Sequence, residues 1–316
     1  MEPPKIQREI GFGKIDDGQQ RLMNHDGSYN VRRRGLTFFE QFNFFHYFIN
    51  ISWLRFLMFI FVFYTVLNII FTSIYFLIGT NQLTGLIYET PFQRFVEVYL
   101  HSAQTLTTVG YGRISPVGVG ANLVSSFEAL LGLLSFALIT GLIYGRFSKP
   151  VPRIKFSGNA IFAPYQDGYA LMFRLANQIE SNLMNSRVRV SLGISEKNAD
   201  GTPKRSFYGL SLERDEIAFF PTTWTVVHPV NEESPFWGLS ESDLAQAHPE
   251  VFILYSSFDD TFDQIIHVRV SYAYEDMRFG VRFAKMLQVD KYGVQEADLS
   301  KISALENAIL PNFPKN

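Results

Sequence analysis

Long apolar runs fill the first half of the chain, and short runs of alternating character fill the second. From Phe56 to Ile78 no residue is charged. At 1.5 Å per residue that length crosses a hydrocarbon core of roughly 30 Å, so the pattern predicts a first transmembrane helix over 52–78. A second apolar stretch, Ala121 to Tyr144, carries one acid, Glu128, and ends at the basic, proline-bounded GRFSKPVPR. It predicts a second spanning helix over 120–147. Between the two, TPFQRFVEVYLHSAQTLTTVGYG opens with Pro91, suited to a first helical turn, and sets Phe92, Phe95, Val96, Tyr99 and Leu100 on one side. The helix this predicts, over 91–106, is too short to cross. Ahead of the first span, TFFEQFNFFHYFINISW repeats Phe38, Phe42, Phe45 and Ile49 at helical spacing, separated by Glu40, Asn43 and His46. That spacing predicts a helix over 36–50 lying in the membrane interface, and an ordinary amphipathic surface helix has the same pattern.

After Pro150 the texture changes to IKFSGNAIFAPY, YALMFRLAN, RVRVSLGISE, TWTVVHPV, VFILYSSF and IIHVRVSYAY, separated by turn residues. These read as strands of an all-β, immunoglobulin-like sandwich over 150–316, with a hairpin at Asp167-Gly168. SDLAQAHPE reads as one short helix capped near Ser240 or Ser242. The predicted organisation is therefore an N-terminal segment (1–35), an interfacial helix (36–50), a pore domain (51–149) and a β-sandwich (150–316).

Composition fits this division. With 31 phenylalanines and 15 tyrosines, the aromatic share exceeds what a soluble core needs and points to lipid. A net charge of −2 gives no case for nucleic-acid binding, and the lack of cysteine excludes disulfides, thiolate metal sites and cysteine nucleophiles. The first thirty-five residues lack the apolar core of a signal peptide, so no cleavage is expected. Arg32, Arg33 and Arg34 precede the first span, and Arg146, Lys149, Arg153 and Lys155 follow the second. By the positive-inside rule both termini belong in the cytoplasm, in a plasma membrane or bacterial inner membrane.

A half-helix followed by a chain that returns to the same side makes a re-entrant loop. Non-helical backbone survives at that depth only when it is buried in protein or lines water or ions. TTVGYG at 107–112 has the residues for the second case. The carbonyls of Thr108, Val109, Gly110 and Tyr111, with the Thr108 hydroxyl, can replace the hydration shell of a bare cation. Gly110 and Gly112 permit the positive-φ backbone that aims successive carbonyls one way, and four chains around an axis close the cage.

TVGYG is the signature of potassium-selective filters, and the resemblance extends further. NHDGSYNVRRRG, ISWLRF, LIYGRFSKP, FSGNAIFAPYQDGYALMFRLANQ, TWTVVHPVNEESPFWGLSESDL and SYAYEDMRFG together resemble the inward-rectifier potassium channels over about residues 24 to 285. The absence of two pore-bracketing cysteines favours the prokaryotic branch. The resemblance implies a homotetramer conducting K⁺ through Thr108 to Gly112, with K⁺ held at Thr108, Val109, Gly110 and Tyr111 and no cofactor. Glu128, Gly132, Phe136, Thr140 and Tyr144, at i, i+4 spacing, are expected to share one broad face of the second helix. Phe136, Thr140 and Tyr144 match the family's pore-lining positions, Tyr144 the bundle-crossing constriction and Gly141 the hinge glycine. An interfacial belt tyrosine and a packing glycine are the plainer readings of the last two.

Departures from the family pattern carry their own expectations. The acids that attract intracellular polyamines are replaced by Phe136 and Asn185, so block by polyamines or divalent cations should be weak. The glutamate that pairs with an arginine behind the filter is Gln104, with Arg113 displaced by one residue. Gln104, Thr107, Arg113 and Glu128 are the expected filter supports. Trp53, Arg55, Arg146, Lys149 and Arg153 lie where the family meets anionic phospholipid, although the positive-inside rule needs the same charges. The cytoplasmic loop expected near Asp263 to Arg269 matches the family's second constriction. A nucleotide-gated channel would need a G-x-G-x-x-G after a strand, and none follows Pro150. An anchored enzyme would need clustered chemistry, yet His228, His248 and His267 are scattered and Glu232-Glu233 sits in a predicted turn.

Overall fold

The computed structural model describes residues 21–32, 34, 35, 37, 43–179, 182–197, 203–220, 222–311, 313 and 314. The chain divides into two compact units, one from Arg34 to Lys149 and one formed by the flanks up to Arg33 and from Pro150 onward.

In the first unit, helix α1 covers Phe44–Asn50, its N-terminus capped by Asn43, whose Oδ1 accepts from His46 N at 2.9 Å. Phe38 and the other residues of the 36–50 stretch before Asn43 lie largely outside the described residues. Helix α2 runs Trp53–Ile78 (26 residues) and α4 runs Val119–Phe147 (29 residues). At 1.5 Å per residue these are about 39 and 43 Å long, enough to span a bilayer core. Helix α3, Pro91–Leu106 (16 residues), is about 24 Å long. It starts at Thr90 because a capping box satisfies the orphan amides: Thr90 Oγ1 accepts from Gln93 N at 3.2 Å, and Gln93 Oε1 accepts from Thr90 N at 3.1 Å. A two-residue ladder, β1 (Leu83–Thr84) against β2 (Ser115–Pro116), ties the α2–α3 connection to the α3–α4 connection. Gln82 clasps both long helices, donating Nε2 to Ile78 O at 2.8 Å and accepting Ala121 N on Oε1 at 3.1 Å. Phe71, Tyr75, Leu83, Val98, Ile114 and Ala121 form the core between the three helices.

The second unit is a sandwich. One sheet has the order β11-β10-β6-β7 with β8 on β6: β6 Leu183–Lys197, β7 Pro203–Leu210, β8 Glu216–Phe219, β10 Glu250–Asp259 and β11 Gln264–Ala273. The other has the order β12-β4-β5-β3 with β9 on β5: β3 Ile154–Phe156, β4 Ala160–Tyr165, β5 Gly168–Asn177, β9 Thr223–Pro229 and β12 Met277–Phe279. Pairing is antiparallel except between β12 and β4. Leu192 and Ile253 from one sheet meet Leu171 and Phe173 from the other in a single core, as alternating in-facing positions require. The hairpin turn between β4 and β5 is Gln166-Asp167, one residue earlier than Asp167-Gly168. Tyr165 pairs with Gly168, and Gln166 takes the left-handed φ of 50°. Helix α5, Glu241–Ala247, is capped by Ser240, with Ser240 N donating to Asp243 Oδ2 at 2.9 Å.

Asn185 lies where β6 loses register with β10 between Ser256 and Phe258. Its φ of 50° is one that asparagine tolerates better than most residues. The Asp263–Arg269 segment is not a loop. Asp263 closes a hairpin, and Arg269 lies within β11.

Residues 21–30 dock on this sandwich. The buried Glu250 carboxylate accepts Leu22 N and Met23 N, both at 2.9 Å, and pairs with Arg205 Nη2 at 3.3 Å. Met23 packs on Phe207 and Phe252. Gly27 approaches β11 so closely that a Cβ would lie 2.2 Å from Arg269 O, and Arg269 Nη1 donates to Tyr29 Oη at 2.6 Å. Burial holds the His228 imidazole below its ordinary value. The ring bridges Ser211 O at 2.6 Å and Ser234 Oγ at 2.8 Å.

Candidate functional site: the 107–112 loop and the helices around it

Helix α3 ends by folding its last turn under the loop. Thr107 Oγ1 donates to Ala103 O at 2.7 Å, Thr108 N to Thr105 O at 3.0 Å, and Gln104 O accepts both Val109 N (2.9 Å) and Gly110 N (3.3 Å). Gln104 therefore supports the loop through its backbone carbonyl. Thr108, Gly110 and Gly112 adopt positive φ (57°, 53° and 82°) at alternate positions. A Cβ at either glycine would meet nothing within 4 Å, so the backbone conformation, not space, demands glycine there. At Thr108 the same conformation stores strain of order 1–3 kcal/mol, which the pentapeptide pattern does not reveal. Val109 and Tyr111 are exposed on the single chain.

At the outer end, Arg113 pairs with Glu97 of α3 at 2.7 Å and donates Nη1 to Gly85 O at 3.2 Å. Gly85 has φ 81°, and a Cβ there would lie 1.8 Å from Arg113 O. Arg113 thus finds a carboxylate about two turns of α3 away from the loop's underside, where Gln104 sits.

Behind the loop, α2, α3 and α4 seal a polar cluster. Glu128, Ser102 and Asn68 are wholly inaccessible to solvent. Ser102 Oγ lies 2.5 Å from Glu128 Oε1 and 3.1 Å from Asn68 Oδ1, and Tyr75 Oη donates to Glu128 Oε2 at 2.7 Å while lying 2.8 Å from Ser125 Oγ. The His101 ring stands edge-on to Tyr75 at 5.3 Å. Sequence reasoning missed Asn68, Tyr75 and Ser102. A signal existed: Asn68, Thr72 and Tyr75 are polar at i, i+4, i+7 within an apolar span, which puts one polar stripe on α2.

One turn below Glu128, Gly132 abuts α3, where a Cβ would lie 1.9 Å from Leu106 O. Glu128 and Gly132 therefore face the short helix, whereas Phe136, Thr140, Gly141 and Tyr144 are exposed. The face that Glu128 to Tyr144 are expected to share must be a broad one for a geometric reason. Each i, i+4 step advances about 40° around a 3.6-residue helix, so four steps accumulate about 160°. Gly141, unlike Gly132, has open space where a Cβ would be.

At the other end of α4, Arg146 folds back onto α1. Its Nη1 donates to Phe48 O at 2.5 Å and its Nη2 to Ile51 O at 2.7 Å, with the guanidinium 4.4 Å from the Trp53 ring and 4.7 Å from the Phe56 ring. Lys149 Nζ donates to Asn50 Oδ1. Arg55 is exposed, as is Arg153 in the other unit.

Comparison with known proteins agrees with this architecture. Residues 154–315 match the inward rectifier potassium channel C-terminal domain, and residues 63–149 match the ion channel family. The inward rectifier potassium channel Kirbac3.1 of Paramagnetospirillum magnetotacticum is 31% identical over 282 residues, 89% of this chain and 94% of that protein. G protein-activated inward rectifier potassium channel 4 of Bos taurus is 28% identical over 216 residues, 65% of this chain and 51% of that one, so the chain matches about half the length of that animal relative. G protein-activated inward rectifier potassium channel 2 of Rattus norvegicus is 25% identical over 338 residues, 98% of this chain and 76% of that one. With two helices long enough to span a membrane and a β-rich second unit, the chain belongs to the inward rectifier potassium channel family, in its prokaryotic branch, and is an ion channel rather than an enzyme.

Proposed function

We propose that Thr108 to Gly112 form the selectivity filter of a homotetrameric channel that conducts K⁺ passively, with the ions held by carbonyls of Thr108, Val109, Gly110 and Tyr111 and no cofactor taking part. The observation that carries this reading is the alternation of positive φ at Thr108, Gly110 and Gly112. Backbone whose handedness alternates can aim successive carbonyls to one side, which an extended strand cannot do. Gln104, Thr107, Arg113 and Glu128 hold that loop from α3, the outer connection and α4. Phe136, Thr140 and Tyr144 line the pore, Tyr144 closes it at the helix crossing, and Gly141 supplies the bend. The membrane is a plasma membrane or bacterial inner membrane, with both termini in the cytoplasm.

Trp53, Arg55, Lys149 and Arg153 meet anionic phospholipid headgroups, at about 1 kcal/mol for each basic residue, and Arg146 acts through the α1 carbonyls it holds. Rectification is weak because neither Phe136 nor Asn185 offers a carboxylate to a polyamine. The test is flux into liposomes of purified tetramer. Rb⁺ should enter freely and Na⁺ poorly, and intracellular spermine should block outward current little unless Phe136→Asp is introduced. Equal Na⁺ and Rb⁺ flux would sink the filter assignment.

A further inference from the structure

The cluster behind the loop contains one hydrogen too few if Glu128 is ionised. Asn68 Nδ2 donates to Tyr64 O at 2.7 Å, which fixes the amide so that Oδ1, an acceptor only, faces Ser102. Ser102 Oγ has a single hydrogen and three acceptors within reach: Glu128 Oε1 on one side and, on the other, Asn68 Oδ1 with the more distant Asn68 O at 3.4 Å. Tyr75 gives its hydrogen to Glu128 Oε2, and Ser125 can supply Tyr75. With a carboxylate, the contact on one of the two sides of Ser102 would set lone pair against lone pair. With a carboxylic acid every contact is filled. The Glu128 O–H donates to Ser102, the Ser102 O–H donates to Asn68, and Tyr75 donates to the other carboxyl oxygen.

The surroundings agree. Among the described residues no lysine, arginine or histidine hydrogen-bonds or ion-pairs with Glu128, and His101 touches Tyr75 only by its ring edge, its buried Nε2 without a partner. An unpaired carboxylate between membrane helices is costly, and a neutral one that donates is not.

We infer that Glu128 is held as a neutral carboxylic acid that serves as a hydrogen-bond donor to Ser102, which makes it a positioning residue for the pore helix. The positioning part rests on the proposed reading of 107–112 as the filter. Ser102 lies two residues before Gln104, whose carbonyl takes the Val109 and Gly110 amides, so the proton on α4 fixes the turn of α3 that carries the loop. The Gly132–Leu106 contact one turn on clamps the same two helices.

The experiment uses the reconstituted tetramer at neutral pH. An infrared difference spectrum of wild type minus Glu128→Gln should show the C=O band of a protonated carboxyl, and its absence would overturn the inference. Glu128→Gln, whose amide can donate to Ser102 and accept from Tyr75, should keep the Rb⁺:Na⁺ flux ratio. Glu128→Ala and Ser102→Ala should lower that ratio by roughly tenfold, the scale of one buried hydrogen bond. If Gln damages the ratio as much as Ala does, an ionised carboxylate is required and the inference fails. If the band is present and Glu128→Ala leaves the ratio unchanged, the proton stands and the support role proposed for Glu128 falls.

Discussion

Each unit of the molecule buries a glutamate, and the two are accommodated by opposite means. Glu250 in the sandwich is given charge and donors: Arg205 at 3.3 Å and the Leu22 and Met23 amides at 2.9 Å. Burial pushes its carboxyl up from the ordinary value, and those amides, with Arg205 and Arg21, offset only part of that rise. Glu128 in the helical unit is given only hydroxyls, from Ser102 and Tyr75. Where a compensating cation is expensive, as between membrane helices, a carboxyl is better kept neutral. Where a sheet can bring an arginine alongside, the charge can be kept and used to hold a distant segment.

The sharpest way to break this comparison is to make the same change at both sites. Glu250→Gln leaves the Arg205 side chain, only 2% exposed, without its counter-charge, and the expected loss is about 3–5 kcal/mol. Glu128→Gln replaces one neutral donor–acceptor pair by another and should cost less than about 1 kcal/mol, below the worth of a single hydrogen bond. Thermal unfolding of the purified channel measures both, and equal losses would end the distinction.

A second contrast lies within α4. Gly132→Ala drives a methyl against the Leu106 carbonyl and should destabilise by about 1–3 kcal/mol, as overpacking does. Gly141→Ala meets open space and should leave stability unchanged or raise it by up to about 1 kcal/mol through helix propensity. Tetramer melting of the two variants, compared with wild type, decides whether Gly132 is a packing glycine.

The smallest effect tests a neutral buried group on the sandwich side. His228 is held below its ordinary value by burial, so the unfolded chain takes up a proton at higher pH than the folded one does. As pH falls below about 6.5, unfolding is favoured, by at most about 1.4 kcal/mol per pH unit, until the folded ring itself protonates. The slope of melting temperature between pH 7 and 5 should be shallower in His228→Gln than in wild type. Identical slopes would show that the ring already binds its proton when folded.

What the sequence revealed depends on how local each cause is. The spanning helices and the sandwich were legible because they rest on runs and alternations within a few residues, and the cap could be narrowed to Ser240 or Ser242, between which the Ser240–Asp243 capping box decides. The hairpin turn fell one residue from Asp167-Gly168 because pairing of Tyr165 with Gly168, not glycine content, sets the loop. The string TTVGYG marked where to look, but nothing in it showed that Thr108 would share the left-handed φ. The Ser102–Glu128 contact spans 26 residues and the Arg113–Glu97 pair spans 16. Such partners are chosen by how three helices pack, and a serine reads the same in sequence whichever carboxyl it meets.

The Leu22–Glu250 hydrogen bond joins residues 228 positions apart in the chain. At translation rates of roughly 5–20 residues per second, Leu22 waits about 11–46 s before Glu250 has been synthesised. During that interval both spanning helices are made and can enter the bilayer, while Met23 has neither Phe207 nor Phe252 to cover it. Synthesis thus sets an order in time: both spanning helices exist before the residues that anchor Leu22 and Met23.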